Sequence, residues 1–200
     1  MVVQVEALTL RWPEPLEEAL TLDIEHRELQ LVANLERLRR GPEGLLALTA
    51  QANGLGNKRT RKWHRLLRPW VQHLVAAAGG LQLTTAVVAT DLTLLLAPLD
   101  AELARRQLNE LLDAWALGQR RPLPVAPRTA FAWLANDPDK ALAAAEQAYQ
   151  GEAATHPALR RQYPDFAALL ADEEFDGWCQ TLYAPVHTAG WQVVGGEGQA

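Results

Sequence analysis

Asp23 and Glu25 are the chain's nearest approach to a metal-dependent hydrolase. Phosphodiester cleavage of that kind needs two carboxylates holding Mg²⁺ and a lysine near the attacking water. One acid belongs on a core strand, and an acid-x-Lys pair on the next. Asp23 and Glu25 share a strand face, and Glu25-His26-Arg27 mimics acid-x-base. Both crowd into one strand and its turn, so the two-strand arrangement is missing and a solvated hairpin is expected. The following strand, residues 45–50, reads LLALTA and offers neither carboxylate nor lysine. Asp91, between two later strands, has the position of a turn residue. The PD strings Pro138-Asp139 and Pro164-Asp165 fall at helix starts, where acids complement the backbone dipole. No catalytic residue, metal ligand or cofactor is therefore expected. The chain contains no serine, which excludes Ser-His-Asp hydrolysis by inventory. His26, His64, His73, His156 and His187 are read as lacking i, i+4 ligand pairing with an acid or another histidine, so structural or surface roles are expected. Gly54-Leu55-Gly56 precedes a lysine but lacks the spacing of a phosphate-binding loop.

Residues 57–80, NKRTRKWHRLLRPWVQHLVAAAGG, hold the one functional signal of substance. Lys58, Arg59, Arg61, Lys62, Arg65 and Arg68 place six cations in eleven positions, with Trp63 among them. Such a segment can hold DNA phosphate and offer an indole for base stacking. The bland alternative is a solvated helix start. Trp63, Leu66, Leu67, Trp70, Val71, Leu74, Val75 and Ala78 recur at helical spacing, and Gly79-Gly80 is a helix stop. Either the helix kinks at Pro69, or residues 58–68 are a separate basic segment leading into a shorter helix that begins at Pro69. Trp12 and Trp191, outside the periodic stripes, are candidates for a subunit interface or for local packing, and His73, beside the apolar stripe, for a hydrogen-bonded interface or core histidine.

Two hundred residues with 48% hydrophobic content and net charge −5 describe an ordinary soluble composition, so any DNA contact must be local. The single cysteine, Cys179, excludes an internal disulfide and a zinc knuckle, and fits a reducing, cytoplasmic setting; its helical context suits a small buried hydrophobe. No apolar run approaches membrane-spanning length. Met1 is the only methionine, which hints at a piece of a longer subunit.

The elements that must position these residues follow from periodicity. Residues 1–19 read as a lead-in arm with a possible short strand at 2–10. Leu20, Leu22 and Ile24, then Leu29, Leu31, Ala33 and Leu35, alternate with polar neighbours as a hairpin. Arg39-Arg40-Gly41-Pro42 reads as a turn, and residues 45–50 as a third strand. After the basic helix, 83–90 and 92–97 read as two central strands. Asp100 N-caps a helix to Gly118; further helices span 129–133, 138–151, 157–171 and 173–186, the last two broken at Pro164 and Pro185. The expected class is α+β: a mixed sheet of about five strands plus a C-terminal helical lobe. One domain is expected over residues 1–188 (arm 1–19, sheet and helix 20–97, lobe 98–188), with 189–200 a disordered tail.

Trp70-Val71-Gln72-His73-Leu74 through Gly79 resembles the W-x-x-H-L-x-x-x-A-x-G helix of the RecC family, the gamma subunit of exodeoxyribonuclease V (RecBCD). Gly118 with Pro122-Leu123, then Ala132-Trp133-Leu134, resemble its G-x-x-x-P-L pattern and A-W-L helix. AEQAYQG at 145–151 and Leu182-Tyr183-Ala184-Pro185-Val186 resemble its later segments, in the same order, so the likeness spans roughly 16–188. The resemblance implies the subunit's C-terminal domain, with a restriction-endonuclease-like, PD-(D/E)XK core that has lost its catalytic residues. It further implies a non-enzymatic part in double-strand-break repair, inside a complex that is an ATP-dependent exodeoxyribonuclease. RecB- and RecD-type subunits and forked or single-stranded DNA would be the partners, with no membrane. Two alternatives stay open: an active Mg²⁺-dependent nuclease with ligands migrated to Asp23, Glu25 and Asp91, and a protein-interaction domain without DNA contact.

Overall fold

The computed structural model describes residues 2–57 and 60–196. In chain order the elements are α1 (Val2–Arg11), β1 (Glu14–Pro15), β2 (Leu20–His26), β3 (Leu29–Leu35), β4 (Leu38–Gly41) and β5 (Gly44–Ala50). A 3₁₀ turn at Trp63–Leu66 leads into α2 (Leu67–Ala78), followed by β6 (Leu83–Val88), β7 (Leu92–Leu96) and α3 (Ala101–Gly118). Then come α4 (Pro127–Leu134), α5 (Pro138–Thr155), α6 (Pro157–Gln162), α7 (Phe166–Leu170), α8 (Phe175–Leu182), α9 (Ala184–Thr188) and β8 (Gln192–Gly196). The chain forms two compact units, where one domain was expected: residues up to Leu112 together with those from Gly190 on, and Asp113–Ala189.

In the first unit the described strands make a six-stranded mixed sheet, ordered β1-β4-β5-β6-β7-β8, and a separate two-stranded sheet, β2-β3. Only β5 and β6 pair in parallel, and α2 lies on the crossover between them. Alternation along the strands sends side chains to two faces. Leu46 and Ala86 pack with Leu8 and Trp12 of the α1 segment, and Val5 joins them. Leu83 and Ala47 instead meet Ala76 of α2 and Leu35 of β3. The sheet is thus covered by α1 on one face and by α2 with the hairpin on the other.

Four expectations are corrected. The arm at 2–10 is a helix, because Val5, Leu8 and Trp12 fall on one helical stripe that the sheet buries. The hairpin Leu20–Leu35 forms where expected but is not part of the main sheet. Arg39 and Arg40, read as a turn, belong to β4, whose hairpin with β5 closes at Gly41 and Gly44. Gly44 has φ of +96°, and a Cβ on Gly41 would stand 2.3 Å from the Arg11 carbonyl oxygen, so both positions need glycine. Finally, residues 192–196 of the expected disordered tail form β8, antiparallel to β7. The strand requires an edge to pair with, and no local pattern announces one.

In the second unit α4 and α5 form the central helix pair, beside a cluster of rings. Phe166 and Phe175 stand edge to face with centroids 6.0 Å apart, and Phe131 meets Tyr183 the same way at 5.3 Å. Helix α5 continues through Gly151, the expected stop, to Thr155. One glycine costs a helix only about 1 kcal/mol, and the next residue, Glu152, supplies the compensation. Its carboxylate accepts the backbone N–H of Arg128 at 3.1 Å and of Thr129 at 3.0 Å, plus the Thr129 hydroxyl at 3.0 Å. Helix α4 has alanine at its N-cap and no cap of its own, so α5 caps it.

Candidate nucleic-acid interface

Residues 51–66 connect β5 to α2, and the backbone of Leu55 and Gly56 among them is held by a group distant in sequence. Asp91, in the turn between β6 and β7, accepts the Leu55 N–H on Oδ1 at 2.8 Å and the Gly56 N–H on Oδ2 at 2.7 Å. Desolvation pushes its pKa up, but N–H groups of Leu55, Gly56, Asp91 and Leu92 outweigh this and hold it below the ordinary carboxylate value. The loop is shaped to admit that carboxylate. A Cβ on Gly54 would lie 2.4 Å from Asp91 Oδ2, and Gly56 has φ of +87° with its missing Cβ 2.2 Å from the Thr60 carbonyl oxygen. The Arg65 guanidinium donates to the Gly54 carbonyl, the Lys62 N–H to the Leu55 carbonyl at 2.7 Å, and the Gln51 amide to the Arg65 carbonyl at 3.2 Å.

This pinned loop delivers cations to the start of α2. Lys62 and Arg68 are exposed, while Arg61 is half-buried with its guanidinium carbon 5.1 Å from the centroid of the half-buried Trp63. Burial lowers the Arg61 pKa from its ordinary value. Helix α2 starts at Leu67, so Pro69 sits in the first turn, where its missing N–H removes no helical bond. The helix thus begins two residues before the expected Pro69 and takes in Arg68, while Arg61 and Lys62 precede it. With no acid in that first turn and no side-chain cap, the positive end of the helix dipole adds to the charge of the loop. Lys58 and Arg59 lie outside the described residues. Arg65, offered as a phosphate ligand, is committed at least in part to the Gly54 carbonyl.

The model of the RecC C-terminal domain family matches residues 1–138. The chain belongs to the RecC C-terminal domain family. No curated protein matches it. Membership ties the chain to a RecBCD subunit and to DNA repair, as the RecC-like helix motif implied. The match takes in α1 and the basic loop and stops at the start of α5, so the AEQAYQG and Leu182–Val186 likenesses lie beyond it.

In this RecC-family chain the three interface candidates are not available at the surface. Trp12 is 1% exposed beneath α1, His73 is 0% exposed, and Trp191 is buried at 8%. For His73 this is the core alternative, and Trp12 takes the packing role, held among Leu8, Leu46, Ala86 and Val88. The largely exposed tryptophan is Trp115 on α3, at 57%. His73 Nδ1 pairs with the Thr85 hydroxyl at 2.8 Å, and Nε2 has no partner of good geometry. Desolvation drives the ring's pKa down to about 4, and the Ala97 carbonyl offsets this only in part.

The acids are dispersed. Strands β5, β6 and β7 carry no carboxylate or lysine. Asp23 and Glu25 stand on the separate hairpin, where Asp23 accepts the Gln30 amide at 2.8 Å. Asp165 N-caps α7 by accepting the Ala168 N–H at 2.8 Å, and Asp139 occupies the first turn of α5. Glu152 and His156 do stand four residues apart, but the Glu152 carboxylate is spent on α4. Among the described residues no three of His, Cys, Asp or Glu cluster to hold a metal ion, and no helix is long and apolar enough to cross a membrane. Cys179 is fully buried, its thiol pushed up to about 12 by desolvation and then by Asp176. Sequence reasoning missed Asp91 and Glu152 as organising residues, because their partners are 35 and 36 residues away in one case and 23 and 24 in the other.

Proposed function

We propose that this chain is a catalytically silent, restriction-endonuclease-like module of a RecC-type subunit. In this reading it serves cytoplasmic double-strand-break repair as a scaffold for RecB- and RecD-type subunits and as part of the DNA path. Support for the silent nuclease core comes from a mixed sheet with helices on both faces and no carboxylate on its four inner strands, β4, β5, β6 and β7. Two-metal or one-metal hydrolysis needs acids converging from such strands.

The DNA role is carried by one observation: a loop closed by hydrogen bonds that brings Arg61 and Lys62 towards the positive end of α2, where Arg68 stands, in a chain of net charge −5. Phosphate binding there releases counterions, so affinity falls with salt in proportion to the contacts made. The test is fluorescence anisotropy of a labelled DNA fork with single-stranded arms, titrated with the full chain at several salt concentrations. Changing Lys58, Arg59, Arg61 and Lys62 together to Ala should weaken binding and flatten the log–log salt slope by about three. Unchanged affinity and slope would remove DNA from the function and leave a protein-interaction domain. Mg²⁺-dependent cleavage of linear DNA by the pure chain would overturn the silent-nuclease reading.

A further inference from the structure

The cationic loop sits beside a negative charge that works against it. Asp91 uses both carboxylate oxygens on the backbone of the loop, taking Leu55 N–H at 2.8 Å and Gly56 N–H at 2.7 Å. A carboxylate next to a phosphate-binding surface weakens the local field, so charge alone argues for its removal. Three neighbours are nevertheless fitted to it. Gly54 leaves room that any Cβ would close to 2.4 Å, Gly56 takes φ of +87°, and Arg65 donates to the Gly54 carbonyl. The Leu55 carbonyl then receives the Lys62 N–H at 2.7 Å, which carries the constraint directly to the residues between Arg61 and Trp63.

Resting on the DNA-binding reading above, we propose that Asp91 is the positioning residue of this interface: its grip on Leu55 and Gly56 presets the loop that presents Arg61, Lys62 and Trp63 to DNA. An unpinned loop must be ordered on binding, and that ordering subtracts from affinity without altering which cations meet phosphate. Positioning and charge therefore predict opposite signs for one substitution. Asp91→Asn removes the negative charge, which by electrostatics alone strengthens DNA binding. It also replaces one acceptor oxygen by an NH₂ donor facing an N–H, which by positioning weakens it.

The experiment uses the full chain and the same labelled DNA fork, with Asp91→Asn, Gly54→Ala and Arg61→Ala/Lys62→Ala measured over a salt series. Gly54→Ala displaces the carboxylate while keeping its charge, so it decides the matter if Asp91→Asn fails to fold. The expected result is a loss of about tenfold in affinity for both Asp91→Asn and Gly54→Ala, with the salt slope unchanged. Amide hydrogen exchange should accelerate at Leu55 and Gly56 in both, while the α2 amides keep wild-type protection. Arg61→Ala/Lys62→Ala should lower the slope as well as the affinity. If that double change weakens binding but Asp91→Asn and Gly54→Ala bind as tightly as wild type or tighter, Asp91 does not position the loop and the proposal falls alone. If the double change leaves affinity and slope untouched, the DNA-binding reading fails first and takes this proposal with it.

Discussion

Glu152→Ala should destabilise the second compact unit more than any other change of a charged residue in it. The carboxylate is 3% exposed and meets three donors: the Arg128 N–H, the Thr129 N–H and the Thr129 hydroxyl. Helix α4 has no side-chain cap of its own, so no other group takes over. A buried donor left without a partner costs about 1–3 kcal/mol, and some relaxation toward water is available to Arg128. The expected loss is therefore about 3 kcal/mol for Glu152→Ala and about 1–2 kcal/mol for Glu152→Gln, whose one carbonyl oxygen keeps part of the set. Urea unfolding followed by tryptophan fluorescence reads this, with the half-buried Trp133 and Trp178 as reporters in the unit beside the exposed Trp115. Thr129→Val in the Glu152→Ala background should add less than it costs alone, because the hydroxyl has already lost its acceptor. A Glu152→Ala protein within about 0.5 kcal/mol of wild type would refute the reasoning, since it would mean that α4 needs no cap from α5.

Two further outcomes follow from the first unit. His73 is neutral when folded down to pH about 4 but takes a proton near 6.5 when unfolded. The unfolded state then binds more protons between those values, so stability falls as pH drops through that window, by up to about 3 kcal/mol. Urea midpoints at pH 6.5 and 4.5 should show the loss in wild type and a smaller one in His73→Gln. Trp12→Ala empties the site enclosed by Leu8, Leu46, Ala86 and Val88 and should cost about 3–5 kcal/mol. Tryptic cleavage after Arg11 should then become fast, and an unchanged cleavage rate would show that α1 does not depend on this indole.

The basic segment, the hairpin Leu20–Leu35, strand 45–50 and the helix capped by Asp100 were legible because each declares itself within a few residues. Periodicity, a proline or a glycine suffices there. Helix α1 was misread because Val3, Val5 and Ala7 also alternate, and period two won over a stripe whose burial needs the sheet. Strand β4 was hidden by Arg39 and Arg40, whose polarity suits a turn. Arg39 in fact donates its guanidinium hydrogens to the carbonyls of Trp12 and Pro13, a role visible only once β1 lies beside β4.

Taken alone, the order of residues determined the RecC-type motifs, the absence of acids on the central strands and the gathering of six cations within residues 58–68. These are properties of composition and short-range spacing, which survive in any conformation. Tertiary structure alone decided that Trp12, His73 and Trp191 are enclosed, that Arg65 is turned inward, and that Asp91 and Glu152 hold backbone they do not adjoin. Burial and long-range hydrogen bonding depend on which elements pack together, and a backbone N–H has the same identity in every residue that carries one.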